Sequence, residues 1–271
     1  MTAATGQWLI GLDIDGTILL PDESYSPGAD AAIARVRDAG HFVTLATGRS
    51  WNATAHVLEK LGLSPEYVVC SNGAVILRRS ESGEYLRDHV ETFDPSVVLG
   101  LLEEHLPEAQ YMVELGNGDR LFTAHMDEWT MRPGRQVRFD ELAHEPVSRV
   151  VVISPGHDED DFHRVVAAAG LNDVSYAIGW TAWLDIAPKG VDKGTALERV
   201  RASLGIPGER VLVAGDGRND VGMFTWAVGV GGRAGAMGQA PDEVKAVASE
   251  VLGDQDAGGL APMLDTVPAA S

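Results

Sequence analysis

The sequence predicts an α/β protein: a Rossmann-like parallel-sheet core with a second, α+β domain inserted into it. Three observations predict this. Over roughly the first seventy residues, short apolar runs alternate with amphipathic helical stretches, the pattern of a parallel sheet covered on both faces. The middle of the chain breaks that rhythm with consecutive strand pairs. From Val191 the alternation of strand and helix returns.

Leu9–Ile14 reads as the first strand, and it runs into Asp13 and Asp15 with Gly16 directly behind them. On extended backbone, residues two apart point to the same side, so the spacing predicts two carboxylates converging on one ligand, with Ile14 turned to the core. The plainer alternative is a strand entering an acidic turn, since Asp and Gly are ordinary turn residues. Ala31, Ile33, Ala34 and Val36 then give one apolar helix face, which Gly40 terminates. His41–Ala46 is a second strand and leads into Thr47-Gly48-Arg49. Ser50 offers a cap for a helix through Leu61, closed by Gly62, and Tyr67–Cys70 is a third strand.

Ala74–Arg79 and Glu84–Val90 read as two strands joined by Ser80-Glu81-Ser82-Gly83. A helix at Pro95–Leu106 precedes strands at Tyr111–Leu115, Arg120–Ala124 and Val150–Ile153. A helix at Asp158–Ala169 and a hairpin of Val174–Ile178 with Trp183–Ile186 complete the insert. The expected division is a core of residues 1–83 and 186–271 and an insert of residues 84–185. In the returning core, Asp192–Leu204 is helical and Val211–Ala214 is a strand that runs into Gly215-Asp216-Gly217-Arg218-Asn219-Asp220. A helix to about Phe224, a strand at Ala227–Val230 and helices after Pro241 and near Leu260 follow.

At 271 residues the chain has length for one large domain or two ordinary ones, and 45% hydrophobic with 23% charged residues is a globular composition. The formal net charge of −19 argues against nucleic acid and anionic membranes as partners. It also requires that an anionic substrate be held by local donors or by a metal. The single Cys70 excludes an intrachain disulfide, and apolar Tyr67, Val68 and Val69 beside it favour an inert, buried thiol. With no charged leader ahead of an apolar run and no apolar stretch of bilayer length, the expected location is the cytoplasm.

Three expected strands end in polar groups: Asp13 with Asp15, Thr47, and Asp216. In an open parallel sheet the ligand crevice lies beyond the carboxyl ends of the strands, so these groups can meet across the sequence. Lys193, early in its helix, can bring a positive charge to the same crevice. Aspartates, a hydroxyl and a lysine suit a phosphate beside a hard cation, and Mg2+ prefers a few carboxylates with substrate phosphate and water. Rival readings fare worse. A calcium loop opening at Asp13 wants Gly sixth and Glu twelfth, where Ile18 and Ser24 stand. Gly229-x-Gly231-x-x-Ala234 matches a dinucleotide fingerprint, but Gly235, Gly238 and Pro241 interrupt the helix it needs. The eight histidines show no metal-ligand spacing. Trp51, Trp129, Trp180 and Trp183 read as packing, the last two also as candidates to line the working face of the insert.

Asp13-Ile-Asp-Gly-Thr17, Thr47-Gly-Arg49, Lys193-Gly194 and Gly215-Asp-Gly-Arg-Asn-Asp220 resemble, in order, the four motifs of the haloacid dehalogenase-like (HAD) phosphatase superfamily. Ser71-Asn-Gly-Ala74 and Ala236-Met-Gly-Gln-Ala240 resemble its Cof-type branch, in which a large cap (C2 type) is inserted between the second and third motifs. The resemblance covers essentially the whole chain. It implies Mg2+-dependent hydrolysis of a small phosphorylated metabolite, such as a sugar phosphate, through an aspartyl-phosphate. By the same resemblance Asp13 is the nucleophile and Asp15 the general acid and base, with Thr47 and Lys193 completing the catalytic set. Phosphate would be held by Asp13, Gly16, Thr47, Gly48, Lys193 and Asn219. The metal would be held by Asp13, the backbone carbonyl of Asp15, Asp216 and Asp220. Two alternatives stand beside this: a phosphomutase or phosphotransferase of the same fold, and a non-catalytic phosphometabolite-binding protein. The presence of both Asp13 and Asp15 favours an enzyme. Arg218 has no assigned role, substrate choice is expected to reside in the insert, and the expected assembly is a monomer or weak homodimer.

Overall fold

Two units make up the chain, one of residues 1–88 and 192–271 and one of residues 89–191. The computed structural model describes residues 6–124, 134–155 and 183–270, and between the last two ranges 162, 164, 166–168, 170–171 and 174–178. In chain order the strands are β1 (Leu9–Leu12), β2 (Phe42–Leu45), β3 (Tyr67–Cys70), β4 (Val75–Arg79), β5 (Tyr85–Val90), β6 (Gln110–Leu115) and β7 (Arg120–Phe122). They continue as β8 (Arg135–Gln136), β9 (Val147–Ile153), β10 (Val174–Ile178), β11 (Trp183–Pro188), β12 (Val211–Gly215), β13 (Arg233–Ala236) and β14 (Glu250–Val251). The helices are α1 (Ala29–Asp38), α2 (Trp51–Leu61), α3 (Ser96–His105), α4 (Lys193–Leu204), α5 (Val221–Gly229), α6 (Asp242–Lys245) and α7 (Leu260–Asp265).

The first unit is built on a parallel sheet of order β14-β13-β12-β1-β2. Leu9, Ile10 and Leu12 of β1 are buried, and each such side chain stabilises the fold by about 1.5–3 kcal/mol. On one face Leu197 and Val200 of α4 and Phe224 of α5 pack with Val211 and Val213 of β12. β3 lies beside the end of β2 through an Ala46–Val69 bridge and opens a second sheet, β3-β4-β5. Cys70 is buried, and Trp51 stacks at a tilt on Tyr85, ring centroids 4.8 Å apart.

One expected strand is replaced. Ala227–Val230 closes helix α5 and its exit, and the strand lies later, at Arg233–Ala236. Ala227 is buried on the helix face while Val228 is exposed, so an apolar run that reads as extended is one turn of helix. The Gly229-x-Gly231 stretch therefore follows a helix, which removes the dinucleotide reading.

The second unit holds a sheet of order β10-β11-β9-β6-β7-β8, antiparallel except for the short β7–β8 pair. The division between units falls a few residues past the expected 83/84 and 185/186 bounds. The reason is pairing: β5 joins the β3-β4 sheet, and β11 lies between β9 and β10. Val98, Leu99 and Leu102 of α3 cover one face, packing on Val113, Val150 and Val152. The alternate residues of the same strands set a row of charges across the other face. Glu114 stands in register with Arg120 on one side and Arg149 on the other, and Arg149 grips Asp185 at 2.6 and 2.7 Å. Trp183 packs against a cluster of Met112, Phe122, Val151 and Ile153 on this face. The expected helix at Asp158–Ala169 falls largely outside the described residues, as do Trp129 and Trp180. No described helix is long and apolar enough to cross a membrane.

Candidate active site

The site forms where β1, β2 and β12 end. Asp13 follows β1 directly, and its N–H donates to the carbonyl of Ala214 at 2.9 Å, extending the β1–β12 ladder by one residue. Extended backbone stops there. The carbonyl of Ile14 accepts from the N–H groups of Thr17, Ile18 and Leu19, which curls the chain into a tight loop. Gly16 in that loop has φ +73°, and a Cβ on it would lie 2.0 Å from Oδ2 of Asp216. Only glycine allows both the turn and this close approach.

The two aspartates differ in exposure and in partner. Asp13 is buried, whereas the side chain of Asp15 is 61% exposed and is held by Arg49 at both carboxylate oxygens. Asp15 lies on that curl, one residue beyond the fully buried Ile14, which faces the core as the alternation predicts.

Asp13 instead meets residues from the far end of the chain. Lys193 opens α4, whose first turn is fixed by Asp192: its carboxylate accepts from the N–H of Thr195 at 2.8 Å. From there Lys193 Nζ donates to Oδ1 of Asp13 at 2.8 Å and to Oδ1 of Asp220 at 2.7 Å, and Lys193 is 0% exposed. Asp220 Oδ2 accepts from the backbone N–H groups of Asp216 and Gly217, both at 2.9 Å, so it shapes the loop after β12 as well. One oxygen from each of Asp13, Asp216 and Asp220 lies within 4.8 Å of the other two.

Burial, then repulsion from Asp220, pushes the Asp216 carboxyl up to about 7. Burial also lifts Asp13 well above the usual carboxylate range, against the attraction of Lys193 and with the repulsion of Asp220 and Asp216. Burial works against the charge of Lys193, but Asp13 and Asp220 outweigh it and hold its proton beyond the ordinary lysine range. Three buried carboxylates face one buried ammonium, an excess of negative charge that is costly without a further cation. All the donors are oxygens, so the set fits a hard divalent cation.

Thr47 and Gly48 follow β2. Thr47 is buried, its N–H bonded to Val69 and its Oγ1 accepting from the N–H of Arg49 at 3.0 Å. Asn219 is turned towards the turn after β3: its Nδ2 donates to Oδ1 of Asn72 at 3.0 Å, and Gly48 lies against the same Asn72 amide. Ser71 and Asn72 both adopt positive φ. Gly73 then packs so closely on the carbonyl of Asp192 that a Cβ would lie 2.1 Å from it, which seats the start of α4. Arg218 makes an exposed pair with Glu243.

Three residues join the site without having been assigned a role by the sequence: Arg49, Asn72 and Gln239. Each lies inside a quoted motif, but its task is a contact between loops, which spacing along the chain does not encode. Gln239, from the loop after β13, reaches both Gly16 and Asp216.

Comparison with known proteins fits this geometry. Residues 10–264 match the family model for haloacid dehalogenase-like hydrolases. The chain is 24% identical to 5-amino-6-(5-phospho-D-ribitylamino)uracil phosphatase YitU of Bacillus subtilis, over 96% of this chain and 97% of that protein. It is 28% identical to pyridoxal phosphate phosphatase YbhA of Escherichia coli, over 94% of this chain and 97% of that one. Among solved structures it shares the fold of an HAD subclass IIB sugar phosphatase with a TM-score of 0.79 at 19% identity, covering 96% of this chain and 98% of that one.

Proposed function

This chain belongs to the haloacid dehalogenase-like hydrolase family, and from that premise we propose that it is a Mg2+-dependent phosphatase of small phosphorylated metabolites. The observation that carries the proposal is the fully buried Lys193 ammonium held between Asp13 and Asp220, with Asp216 alongside. Such a cluster is expensive to bury. It suits an incoming phosphoryl group, for which positioning and charge balance supply most of the catalysis.

In the first half-reaction a carboxylate oxygen of Asp13 bonds to phosphorus, the bond from phosphorus to the ester oxygen breaks, and Asp15 gives a proton to the departing alkoxide. In the second, Asp15 takes a proton from water as that water attacks the aspartyl-phosphate, and inorganic phosphate leaves with Asp13 restored. Lys193 orients Asp13 and balances charge on the phosphoryl oxygens. Thr47, Gly48 and Asn219 supply neutral contacts to the same group, and Gly16 leaves it room. Mg2+, held by Asp13, Asp216 and the carbonyl of Asp15 with Asp220 beside them, would supply the positive charge that lets an anionic ester approach these carboxylates.

The residues in these roles belong to the first unit. They handle phosphate, metal and protons, which every phosphate monoester presents alike. We assign substrate choice to the second unit, residues 89–191.

The test is release of inorganic phosphate from p-nitrophenyl phosphate and from a panel of phosphorylated metabolites that includes pyridoxal phosphate and sugar phosphates. Turnover with Mg2+ and its loss with chelator are expected. Asp13→Asn should abolish both turnover and a trappable phosphoenzyme. Ester binding without metal-dependent phosphate release would make the protein a binder. Isomerised sugar phosphate without free phosphate would make it a mutase.

A further inference from the structure

Gln239 is held at both ends of its side-chain amide. Nε2 donates to the carbonyl of Gly16 at 2.7 Å and to Oδ2 of Asp216 at 3.3 Å. Oε1 accepts from the backbone N–H of Gln255 at 2.9 Å. The Gly16 carbonyl can only accept and the Gln255 N–H can only donate, so this amide has one orientation. Flipping it would break both backbone bonds at once. The arrangement is anchored further out, because Ser26 Oγ donates to the carbonyl of the same Gln255 at 2.7 Å. Asp216 is thus confined on two sides, by the bare Cα of Gly16 and by a fixed N–H from Gln239.

We propose that Gln239 is a positioning residue for the cation, and that it favours Mg2+ over Ca2+ by holding Asp216 to one-oxygen coordination. The inference rests on the cation assignment above. With Oδ2 engaged by Gln239, Asp216 offers Oδ1 to a metal. One oxygen per carboxylate suits Mg2+, which demands a near-octahedral set at about 2.0–2.1 Å. Ca2+ accepts six to eight oxygens and commonly takes both from one carboxylate. An Asp216 freed from Gln239 could rotate and present both. Partners of metal ligands typically contribute about 10–100-fold to affinity, enough to be read directly.

The experiment is calorimetric titration of the full chain with MgCl2 and, separately, CaCl2, for the wild type, Gln239→Met and Gln239→Leu. Both variants keep the bulk and remove the hydrogen bonds. The expected result is Mg2+ affinity reduced about tenfold or more, with Ca2+ affinity reduced less, so that the preference narrows. A merely structural role would lower the thermal midpoint of the metal-free variants and leave the ratio of the two affinities unchanged. That outcome, or an equal loss for both ions, overturns the proposal. A second readout needs no variant: the 15N side-chain amide signal of Gln239, assigned by triple-resonance spectra of the wild type, should shift along the Mg2+ titration with the calorimetric midpoint. An amide signal indifferent to bound Mg2+ overturns the proposal even if neither variant folds. Wild-type protein that binds neither ion overturns the cation assignment and this inference together, whereas normal Mg2+ binding with unaffected variants overturns this inference alone.

Discussion

Arg49 and Asp15 meet fork to fork, with Nε 2.9 Å from one carboxylate oxygen and the terminal nitrogen 2.6 Å from the other. This pairing fixes the plane of the carboxylate, and the hydrogen bonds to Asp15 raise the pKa of the guanidinium further. Because the Asp15 side chain is 61% exposed, the pair contributes at most about 1 kcal/mol to stability. Its removal should instead be felt in proton transfer. Arg49→Gln should slow alkyl phosphates about tenfold more than p-nitrophenyl phosphate, since an alkoxide needs the proton of Asp15 and a nitrophenolate does not. Relative rates across a leaving-group series measure this. Equal slowing of good and poor leaving groups would detach Arg49 from proton transfer.

Lys193→Met should be costly to the fold as well as to turnover. It leaves Asp13 and Asp220 buried without their counter-charge, a loss of about 3–5 kcal/mol by comparison with other broken buried pairs. Urea unfolding of the metal-free proteins reads the difference. A variant as stable as wild type would mean that Asp13 and Asp220 take up protons at no cost.

Acid should stabilise the metal-free protein at Asp216. The folded-state carboxyl is lifted from its ordinary 3.8 to about 7, so it binds its proton more tightly folded than unfolded. Its contribution is complete below the unfolded value and is lost as pH rises through the folded one. Thermal midpoints in chelator should therefore fall between about pH 4 and 7 more steeply for wild type than for Asp216→Asn. Mg2+ should recover the loss at the alkaline end, where the carboxylate is free to bind it. Parallel pH profiles for the two proteins would count against the shift.

In the second unit, the Arg149–Asp185 pair is buried on both sides. Asp185→Leu or Arg149→Met alone should destabilise by about 3–5 kcal/mol, while the double variant should recover most of that. A double-mutant cycle by denaturant unfolding checks it. Single costs below about 1 kcal/mol would mean that water reaches the pair.

The parts of this molecule that could be read from its sequence are those set by local pattern. Leu9–Leu12 is an apolar run, Gly62 closes a helix, and Asp216 and Lys193 stand at a strand end and a helix start. Their meeting follows from the general geometry of parallel sheets. Alternation stops being a guide where the strand itself stops: beyond Leu12 the Ile14 carbonyl gathers three N–H groups, and Asp15 pairs with Arg49. Ala227–Val230 misled for a related reason, because a short apolar run is equally at home on a buried helix turn. Gln239 and Asn72 could not be ranked at all, since their partners lie up to 223 positions away.

β1 and β12 are hydrogen-bonded neighbours whose paired residues stand about two hundred positions apart. At roughly 5–20 residues per second, a ribosome delivers β12 some 10–40 s after β1. Once β2 has followed, β1 has it on one side and a bare edge on the other for the rest of that interval, the sort of edge that invites pairing with foreign strands. Asp13 emerges with neither Lys193 nor Asp220 to meet it, and residues 89–191, with a sheet and core of their own, emerge entire in the meantime. A nascent chain stalled before Val211 thus carries an unsealed half-sheet, and catalytic competence waits on the residues from Val211 onward.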